Sequence, residues 1–258
     1  MMKALYRFMI SISINPKLIS ESIKGWPYFR RNLREIKSQL QGNKEFQITN
    51  LYPVLRDRFE GNGKLGHYFY EDLTIAQRVF ENNPVKHVDV GSSVDGFVAH
   101  IATFREIEVF DIRPQDAQVK NIKFVTADFM NISPHLHNYT DSLSSLNVIE
   151  HFGLGRYGDP IDVNGHLKGL DNMYKVLKPG GKFYFSTPIG PQRIEFDAHR
   201  VFSVEYLLRI FQPNYTIDHF SYVDDSSNLY RHVALDPEKV KVNFGCRFGF
   251  AIFEMTKK

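Results

Sequence analysis

Short apolar runs alternate with helical spacings of apolar residues through the middle of the chain. Strands are predicted where a short run is apolar and β-branched, and helices where apolar residues recur at helical spacing. The predicted strands cover 87–90, 106–111, 123–126, 142–146 and 182–187, and the predicted helices cover 70–83, 95–103, 165–177 and 203–211. This alternation is typical of a doubly wound α/β domain with a largely parallel sheet.

The pattern changes near the C-terminus, where two strand candidates follow each other. "YTIDHFSYV" (215–223) and "CRFGFAIFEMT" (246–256) have strand character, and the polar segment between them has no helical spacing. Consecutive strands without a crossover helix favour antiparallel pairing. We therefore expect a helix-free antiparallel strand pair at the end of the sheet.

The N-terminal region has a separate, basic pattern. Apolar residues from Ile23 to Leu40 recur at helical spacing, with lysines and arginines between them. Such a helix can lie on an anionic membrane, or it can pack on the protein with a solvated basic face. The first residues are interrupted by Arg7 and lack a small-residue cleavage site, which favours a docking helix over a signal peptide. We expect an N-terminal helical extension over 1–66 and the main domain over 67–258.

The composition of the chain indicates its cellular compartment and the kinds of partner that it can bind. The chain has 258 residues, 43% of them hydrophobic, which is enough for one α/β domain with an extension. Its net charge of +3 is modest and no nucleic-acid-binding element is visible, so no nucleic-acid partner is predicted. The single cysteine, Cys246, excludes an internal disulfide. We expect a cytoplasmic protein whose basic helix packs on the domain, with peripheral contact at the inner face of the membrane as the alternative.

Acidic residues stand at the ends of three consecutive predicted strands. Asp89 precedes Gly91 in a strand–turn–helix segment, and Asp111 and Asp128 end the next two strands. Ligands of open α/β sheets bind beyond the carboxyl ends of the strands, and a carboxylate after the second strand suits the hydroxyls of a ribose. One such residue alone equally suits a helix cap or a turn. The series of three favours a binding site.

The turn after the first strand lacks the glycine pattern of a dinucleotide site. Ser93 stands where a pyrophosphate needs glycine for close approach, and Asp89 adds negative charge to the same corner. Both features disfavour a phosphate-rich ligand and favour an adenosine with a positively charged tail. S-adenosylmethionine has this chemistry and is the predicted cofactor.

Several segments resemble, in order, the motifs of class I S-adenosylmethionine-dependent methyltransferases. They are "VDVGSSVDG", the acid at 111, "TADFMN", "LNVIEH" and "MYKVLKPGGKFYFSTP", and the likeness covers about 70–258. It implies a Rossmann-like fold with a mostly parallel seven-stranded sheet and an antiparallel last strand. "GHYFYEDL", "HVDVGSSVDGF", "FDIRP" and "EHFGLGRYGDPID" also resemble a bacterial family of unknown function that is often associated with surface-polysaccharide synthesis.

The methyltransferase resemblance implies which residues bind the cofactor. It assigns the ribose to Asp111 and the adenine amino group to Asp128, and it sets the methionyl part beside Asn147. The full implied set is Asp89, Gly91, Ser92, Ser93, Asp111, Ile112, Asp128, Phe129 and Asn147. Serine at 93 departs from the glycine of many relatives, which leaves open a protein that binds the cofactor without turnover.

The loop after the fourth predicted strand supplies the first candidate base. Methyl transfer to a hydroxyl needs an aligned acceptor and a base for its proton, and His151 is the first candidate because a histidine side chain ordinarily titrates near neutral pH. The alternative is a structural histidine that hydrogen-bonds the loop. Interleaved glycines predict a shaped loop. Its candidate acceptor-binding residues are Glu150, Arg156, Tyr157 and Asp159.

A second cluster follows the fifth predicted strand in "RIEFDAHRVFS" (193–203). His199 is the alternative base, and Arg193 or Arg200 could hold a phosphate or carboxylate of the acceptor. Asp197, His199 and Arg200 equally suit a cap and ion-pair set before the next helix. No metal is predicted, because the potential ligands of the first region, Glu150, Asp159, Asp162 and His166, match no defined ligand spacing.

Three functions follow from these observations. The first is an S-adenosylmethionine-dependent methyltransferase that acts on a sugar, glycan or other small acceptor in surface-polysaccharide metabolism, with oxygen as the expected acceptor atom. The second is a non-catalytic methyltransferase-like module that supports polysaccharide assembly, motivated by Ser93 and the basic helix. The third is a nicotinamide-dependent oxidoreductase, which the missing glycine and the final strand pair disfavour.

Overall fold

A computed structural model describes residues 2–42, 45–61, 63 and 65–258, and the chain divides into two compact units, Met1–Lys64 and Leu65–Lys258. The helices are α1 Met2–Ser11, α2 Pro16–Gln39, α3 His67–Asn82, α4 Ala99–Ala102, α5 Gly165–Val176, α6 Val204–Phe211 and α7 Pro237–Lys241. The strands are β1 His87–Val90, β2 Ile107–Asp111, β3 Ile122–Thr126, β4 Thr140–Leu146, β5 Leu177–Ile189, β6 Arg193–Glu195, β7 His199–Val201, β8 Tyr215–Val223, β9 Leu229–Tyr230 and β10 Gly249–Lys257.

In the first unit, α2 begins earlier than the predicted start at Ile23. The side-chain oxygen of Asn15 accepts hydrogen bonds from the backbone N–H groups of Lys17 (3.0 Å) and Leu18 (3.4 Å). Pro16 occupies the first helical turn, where its missing N–H costs nothing. This start signal lies upstream of the apolar periodicity, so the periodicity alone placed the helix too late.

An eight-stranded sheet forms the centre of the second unit, in the order β3-β2-β1-β4-β5-β10-β8-β9. Strands β1 to β5 pair in parallel, whereas β10 runs antiparallel to both β5 and β8. The doubly wound sheet and its antiparallel last strand are therefore confirmed. The two-residue strand β9 adds an eighth member to the seven expected.

The C-terminal strand pair differs from its prediction in two ways. Strand β10 inserts between β5 and β8, so the last strand of the chain lies inside the sheet. The connection is also not helix-free, because Pro237–Lys241 forms the short helix α7. The Asp236 side chain caps it by accepting from the backbone N–H groups of Glu238 (3.0 Å) and Lys239 (3.1 Å). One turn of helix is too short to give an apolar periodicity.

The predicted helix 95–103 is also shorter and less regular than expected. A wide π-type turn covers Val94–Val98, and only Ala99–Ala102 is α-helical. Gly96 has non-helical backbone angles, and a Cβ there would clash with a carboxylate oxygen of Asp72 on α3. Close packing against this buried acid explains the irregular start.

Apolar side chains cover both faces of the sheet. Helices α5 and α6 pack on one face through residues such as Met173 and Phe211. Helix α3 and the segment around α4 pack on the other, through residues such as Val79 and Phe97. Both faces of β1 are thereby buried, as is usual for the central strand of a parallel sheet.

In the described part of the chain, the helices are too short or too polar to cross a bilayer.

Candidate active site

A cleft opens at the carboxyl ends of β1, β2, β3 and β4. It encloses about 590 Å³ of empty space, part of it open to solvent. Nine of the residues predicted to form the site line it: Gly91, Asp111, Ile112, Asp128, Phe129, Asn147, His151, Tyr157 and Asp159. The fold thus gathers residues that are up to 68 positions apart in the sequence, from Gly91 to Asp159.

Gly91 shapes the wall of this cleft after β1. Its φ of +73° lies in the left-handed region, and a Cβ there would stand 2.7 Å from the Cγ1 atom of Val148. Both residues line the cleft. Glycine therefore lets the turn approach the segment after β4 closely, as a side chain could not.

Asp89, which was predicted to contact the cofactor, is fully buried and does not line the cleft. Its carboxylate accepts hydrogen bonds from the Ser92 backbone N–H (2.9 Å), the Ser92 hydroxyl (2.6 Å) and the Ser144 hydroxyl (2.5 Å). Burial raises the pKa of Asp89 to about 6, against these bonds. Asp89 and Ser92 therefore stabilise the turn through buried hydrogen bonds and do not line the cleft themselves.

Ser93, the departure from the glycine pattern, is exposed and also lies outside the cleft lining. Its hydroxyl donates to the carboxylate of Asp95, two residues along the chain. The backbone φ of −61° at Ser93 is in the ordinary range, so serine is accommodated there without strain.

Asp111 ends β2 inside the cleft and is held by Arg113. One carboxylate oxygen accepts from the Arg113 backbone N–H (2.8 Å) and Nε (2.9 Å), and the other accepts from Nη2 (2.7 Å). The guanidinium carbon of Arg113 also lies 4.5 Å from the ring centroid of Tyr157. A ribose at Asp111 would have to share or displace these bonds.

Asp128 and Phe129 follow β3 and form another part of the lining. The Asp128 carboxylate accepts from the backbone N–H of Met130 (2.8 Å). The Phe129 ring packs edge-on against Phe110, with 5.6 Å between centroids. The pair gives the cleft an apolar floor beside a carboxylate, a combination that suits a planar heterocycle with an amino group.

His151 lines the cleft with its ring orientation fixed. Its Nδ1 lies 2.7 Å from the carbonyl oxygen of Ala198, and because a carbonyl only accepts, Nδ1 carries the proton. Burial lowers the pKa of His151 to about 4, so the ring is neutral at pH 7 and Nε2 holds a free lone pair. His151 can therefore accept a proton at Nε2.

Glu150 lies beside His151 and is fully buried behind the cleft lining. One oxygen accepts from the Thr187 hydroxyl (3.2 Å), and the other lies 3.8 Å from Nε2 of His151. Burial raises the pKa of Glu150 to about 8, so the carboxyl is protonated at neutral pH. It contributes a neutral polar group rather than a charge to this corner.

Asp159 organises the glycine-rich loop that forms the outer wall. One of its oxygens accepts from the backbone N–H groups of Gly153 (2.7 Å) and Gly155 (3.3 Å), and the other accepts from that of Tyr157 (3.3 Å). Arg156 is exposed and donates to the Ala198 carbonyl (2.8 Å). The loop is shaped, as predicted, by contacts within and around it.

Arg200 secures the same loop from below. Its Nη1 donates to the carbonyl of Phe152 (2.6 Å) and its Nη2 to that of Val163 (3.3 Å). The side chain is buried and bonds to backbone oxygens, which is neither the ion-pair set nor the acceptor-binding role considered from the sequence. Buried arginine can satisfy several carbonyls at once, because its five donors are arranged in a fixed plane.

The other residues of the second cluster lie outside the cleft lining. Arg193 and His199 belong to a two-stranded sheet of β6 and β7 that the sequence patterns did not predict, and Asp197 lies in the turn between the two strands. Arg193 donates to Glu195 (3.0 Å) and to the carbonyls of Pro191 (3.0 Å) and Arg247 (3.1 Å). The ring of His199 packs on Phe248 at 5.1 Å, and burial lowers its pKa.

The structure adds two acids on α3 that the sequence did not single out. Glu71 is fully buried, and one of its oxygens accepts from the Asn147 side-chain amide and from the Ser186 hydroxyl (3.1 Å). Burial raises the pKa of Glu71 well above its usual range, and that of Asp72 to about 7. Both acids lie on a helix that was predicted from its apolar residues. Nothing in the sequence indicated that these two acidic side chains are buried.

Among the described residues, no three histidine, cysteine or acidic side chains are placed to hold a metal ion together.

Comparison with known sequences assigns the chain to a family. A family model described as "Caenorhabditis protein of unknown function, DUF268" matches residues 88–241, which is more than half of the chain. The matched range includes every residue that lines the cleft. The chain belongs to the DUF268 family. No curated protein matches it.

Solved structures establish the fold of this DUF268 protein. The 1,6-didemethyltoxoflavin-N1-methyltransferase of Burkholderia thailandensis, solved with 1,6-didemethyltoxoflavin and S-adenosylhomocysteine, superposes with a TM-score of 0.53 at 12% identity, over 75% of this chain and 79% of that one. The N-methyltransferase NodS from Bradyrhizobium japonicum WM9 gives 0.50 at 13% identity, over 74% and 96%. The DUF268 protein therefore has a Rossmann-like class I methyltransferase fold.

A third neighbour limits what this fold says about chemistry. The [4+2]-cyclase SpnF superposes with a TM-score of 0.50 at 14% identity, over 83% of this chain and 85% of that one. A cyclase and two methyltransferases thus share the architecture. The reaction of the DUF268 protein has to be argued from its own cleft.

Proposed function

We propose that this DUF268 protein is an S-adenosylmethionine-dependent methyltransferase that acts on a hydroxyl of a sugar, glycan or other small acceptor in surface-polysaccharide metabolism. The observation that carries the proposal is the cleft itself. It brings Gly91, Asp111 and Asp128 together around an apolar floor, at the strand ends where open α/β sheets bind ligands.

The residues present fit the proposed cofactor. Asp111 offers two acceptor oxygens for ribose hydroxyls, and Asp128 with Phe129 offers an acceptor and an apolar surface for adenine. Asn147 offers a buried amide oxygen, with no partner among the described residues, for the amino-acid tail. The sulfonium of the bound cofactor would supply the methyl group.

His151 is the proposed base for the acceptor hydroxyl. Its Nδ1–H is tied to Ala198, so Nε2 is held as the proton-accepting atom. The low pKa keeps the ring neutral, which makes the base available but weak. Methyl transfer from a sulfonium depends mainly on alignment, so a weak base suffices if it removes the proton late. Tyr157, Asp159 and Arg156 shape the adjoining wall, where we place the acceptor.

Calorimetric titration with S-adenosylhomocysteine tests the cofactor assignment. We expect binding by the full chain and a loss of about tenfold or more on Asp111→Asn, because a neutral amide accepts ribose hydroxyl bonds less strongly. The matched control is Asp116→Asn, an exposed acid in the loop after β2 that lies outside the cleft lining. Absence of binding at millimolar ligand, or equal effects of both variants, would refute the assignment.

A non-catalytic module is the second candidate, and the engagement of Asp111 by Arg113 favours it. A carboxylate already bonded through both oxygens is less available to a ribose. The two candidates differ in turnover. Release of S-adenosylhomocysteine in the presence of a cell-extract acceptor, lost in Asp111→Asn, supports the enzyme; binding without turnover over a fractionated acceptor series supports the module.

We propose in addition that α2 contacts an anionic membrane. One stripe of the helix, at spacings of three and four, contains exposed apolar residues followed by exposed basic ones: Ile19, Ile23, Trp26, Arg30, Arg34 and Lys37. Ile23 is 68% exposed, and the Arg30 guanidinium lies 5.3 Å from the Trp26 ring. The helix holds six basic residues and two acids, so its charge complements an anionic lipid surface.

Vesicle sedimentation of the full chain tests this contact. We expect co-sedimentation with phosphatidylglycerol vesicles, reduced binding at high salt, and loss of binding in Ile23→Asp. The control is Val85→Asp, at an exposed apolar residue in the second unit. Equal binding of both variants, or binding to neutral phosphatidylcholine alone, would contradict an anionic-membrane role; salt-independent self-association through α2 would point to a second copy instead.

A further inference from the structure

Glu71 and Asn147 are joined in a buried polar pair behind the cleft. The Asn147 amide N–H donates to one carboxylate oxygen of Glu71, and the Ser186 hydroxyl donates to the same oxygen at 3.1 Å. The other carboxylate oxygen, Oε1, and the amide oxygen of Asn147 are both buried, and neither has a hydrogen-bond partner in the described chain. Such orphaned oxygens are uncommon in folded proteins and call for an explanation.

Asn147 connects this pair to the cleft. It lines the cleft while its partner Glu71 is fully buried. Its φ of +57° is in the left-handed region, which asparagine tolerates better than most residues. The backbone turn after β4 therefore places an amide at the boundary between the ligand cleft and a buried carboxyl on α3.

The acids around Glu71 disfavour its ionisation. Asp72 and Glu150 both act on the titration of Glu71, and both raise its pKa further. Burial raises the pKa of the Tyr68 hydroxyl, and the same two glutamates, Glu150 and Glu71, raise it further. A cation entering this corner would balance a charged carboxylate and so allow Glu71 to ionise.

We propose that Glu71 and Asn147 bind an ammonium group of a ligand held in the cleft. An ammonium has three N–H donors and a positive charge, so it can satisfy both orphaned oxygens and balance the carboxylate. A neutral ligand acceptor would pair with a protonated Glu71 but would leave the Asn147 oxygen unsatisfied. A hydroxyl that donates to Asn147 and accepts from protonated Glu71 is the neutral alternative, and it differs from the cation in releasing no proton on binding.

The ammonium has two possible sources, and this inference rests on the proposed function for the first of them. One source is the amino-acid tail of the nucleoside cofactor. The other is an amine on the acceptor, such as an amino sugar. Both place the same chemistry at Glu71, so the experiment must separate them.

Two nucleosides distinguish the first source. S-adenosylhomocysteine carries the amino-acid tail, and 5′-methylthioadenosine is a matching thioether without it. If the tail supplies the ammonium, Glu71→Gln should weaken S-adenosylhomocysteine about tenfold or more and leave 5′-methylthioadenosine within twofold. Ser186→Ala is the matched control, because it removes one hydrogen bond to the same side chain but keeps a carboxyl that can ionise.

Proton release gives a readout that does not depend on a variant. Binding of an ammonium to a carboxyl that is protonated in the free protein should release up to one proton at pH 7. Calorimetry in two buffers of different ionisation enthalpy measures this number. The released proton should appear with S-adenosylhomocysteine, be absent with 5′-methylthioadenosine, and be lost in Glu71→Gln.

Glucosamine, compared with glucose, tests the second source. One outcome is that S-adenosylhomocysteine binds with an affinity and a proton release that Glu71→Gln leaves unchanged. In that case the comparison of glucosamine with glucose decides whether Glu71 binds an ammonium. Proton-releasing binding of glucosamine that needs Glu71 then assigns the site to the acceptor; its absence overturns the inference while the proposed function stands. If neither nucleoside binds, the proposed function fails, and the same glucosamine measurement alone supports or overturns the ammonium site.

Discussion

At the residue scale, Asp111 shows that a carboxylate in the right position is not the same as an available one. Arg113 bonds both of its oxygens and lies against Tyr157, which also lines the cleft. The contact is half-exposed, so it adds little to folding stability. Its main consequence is competition with any hydroxyl donor that approaches Asp111.

Removal of Arg113 should therefore improve binding. We expect Arg113→Gln to bind S-adenosylhomocysteine a few times more tightly than the unchanged chain, because Asp111 no longer has to exchange one partner for another. Arg156→Gln is the control, since Arg156 also lies over the Tyr157 ring, at 5.2 Å, and contacts the Ala198 carbonyl instead of Asp111. Calorimetry checks both, and weaker binding by Arg113→Gln would mean that the arginine supports the ligand.

The acids also show where sequence reasoning at single residues stops. Strand ends can be counted along the chain, so Asp111 and Asp128 could be placed at the cleft from their positions alone. Asp89 has the same kind of position but turns its carboxylate to Ser92 and Ser144, which no spacing reveals. Glu71 was missed because an acid on a helix is usually solvated, and its burial depends on the packing of α3 against the sheet.

At the scale of elements, the glycine-rich loop depends on backbone conformation more than on side chains. Gly153 and Gly158 both have positive φ, +74° and +84°. They differ in their surroundings: a Cβ at Gly153 would clash with the carbonyl oxygen of Asp162, whereas a Cβ at Gly158 would meet nothing within 4 Å. The same substitution therefore separates backbone strain from steric conflict.

Gly158→Ala should cost about 1 kcal/mol of unfolding free energy, the usual penalty for a left-handed alanine. Gly153→Ala should cost about 3 kcal/mol or more, because the Asp162 carbonyl has to move and the loop with it. Chemical denaturation measures both, and limited proteolysis within 153–162 reports loop opening. Equal costs for the two variants would show that the loop adapts freely around Gly153.

Elements with a strong local signal were predicted well, and those without one were not. Strands β1 to β5 are apolar enough to be recognised within a few residues, apart from the early start of β5 at Leu177. The β6–β7 hairpin is three residues long on each side and polar, so the segment 193–203 offered only its charges. Its effect on the site is indirect, through the Ala198 carbonyl and Arg200.

At the scale of the whole molecule, the sheet order follows from connections that the sequence does indicate. Alternating strands and helices produce the parallel part, and the absence of a crossover helix near the C-terminus produces the antiparallel strand. The insertion of β10 between β5 and β8 could not be predicted, because it depends on which sheet edge is open when the last strand pairs. The residues at the carboxyl ends of the parallel strands then form the lining of the cleft.

Buried titratable groups give the molecule opposing pH responses. Four buried or partly buried histidines have pKa values lowered to about 3 or 4: His67, His87, His151 and His166. Their neutral forms fit the fold, so stability falls as pH drops below the ordinary histidine value of 6.5 toward these lower values. The acids Glu71 and Glu150 have raised pKa values and act in the opposite direction.

Between pH 7 and 8 the acids should dominate increasingly, because the folded histidines are neutral and those of the unfolded chain, with a pKa near 6.5, lose their remaining protons. Folded Glu150 keeps its proton up to about pH 8, whereas in the unfolded chain it loses its proton near 4.5. The folded state then binds more protons, so the free energy of unfolding should fall as pH rises, by up to about 1.4 kcal/mol per pH unit for each such carboxyl.

Glu150→Gln should lower this slope by up to that amount and raise stability at pH 8, since the amide stays neutral and can still accept from Thr187. Urea unfolding at pH 7.0, 7.5 and 8.0 measures the slopes, with the exposed Glu106→Gln as control; parallel slopes for Glu150→Gln and the unchanged chain would mean that Glu150 is already ionised in the fold.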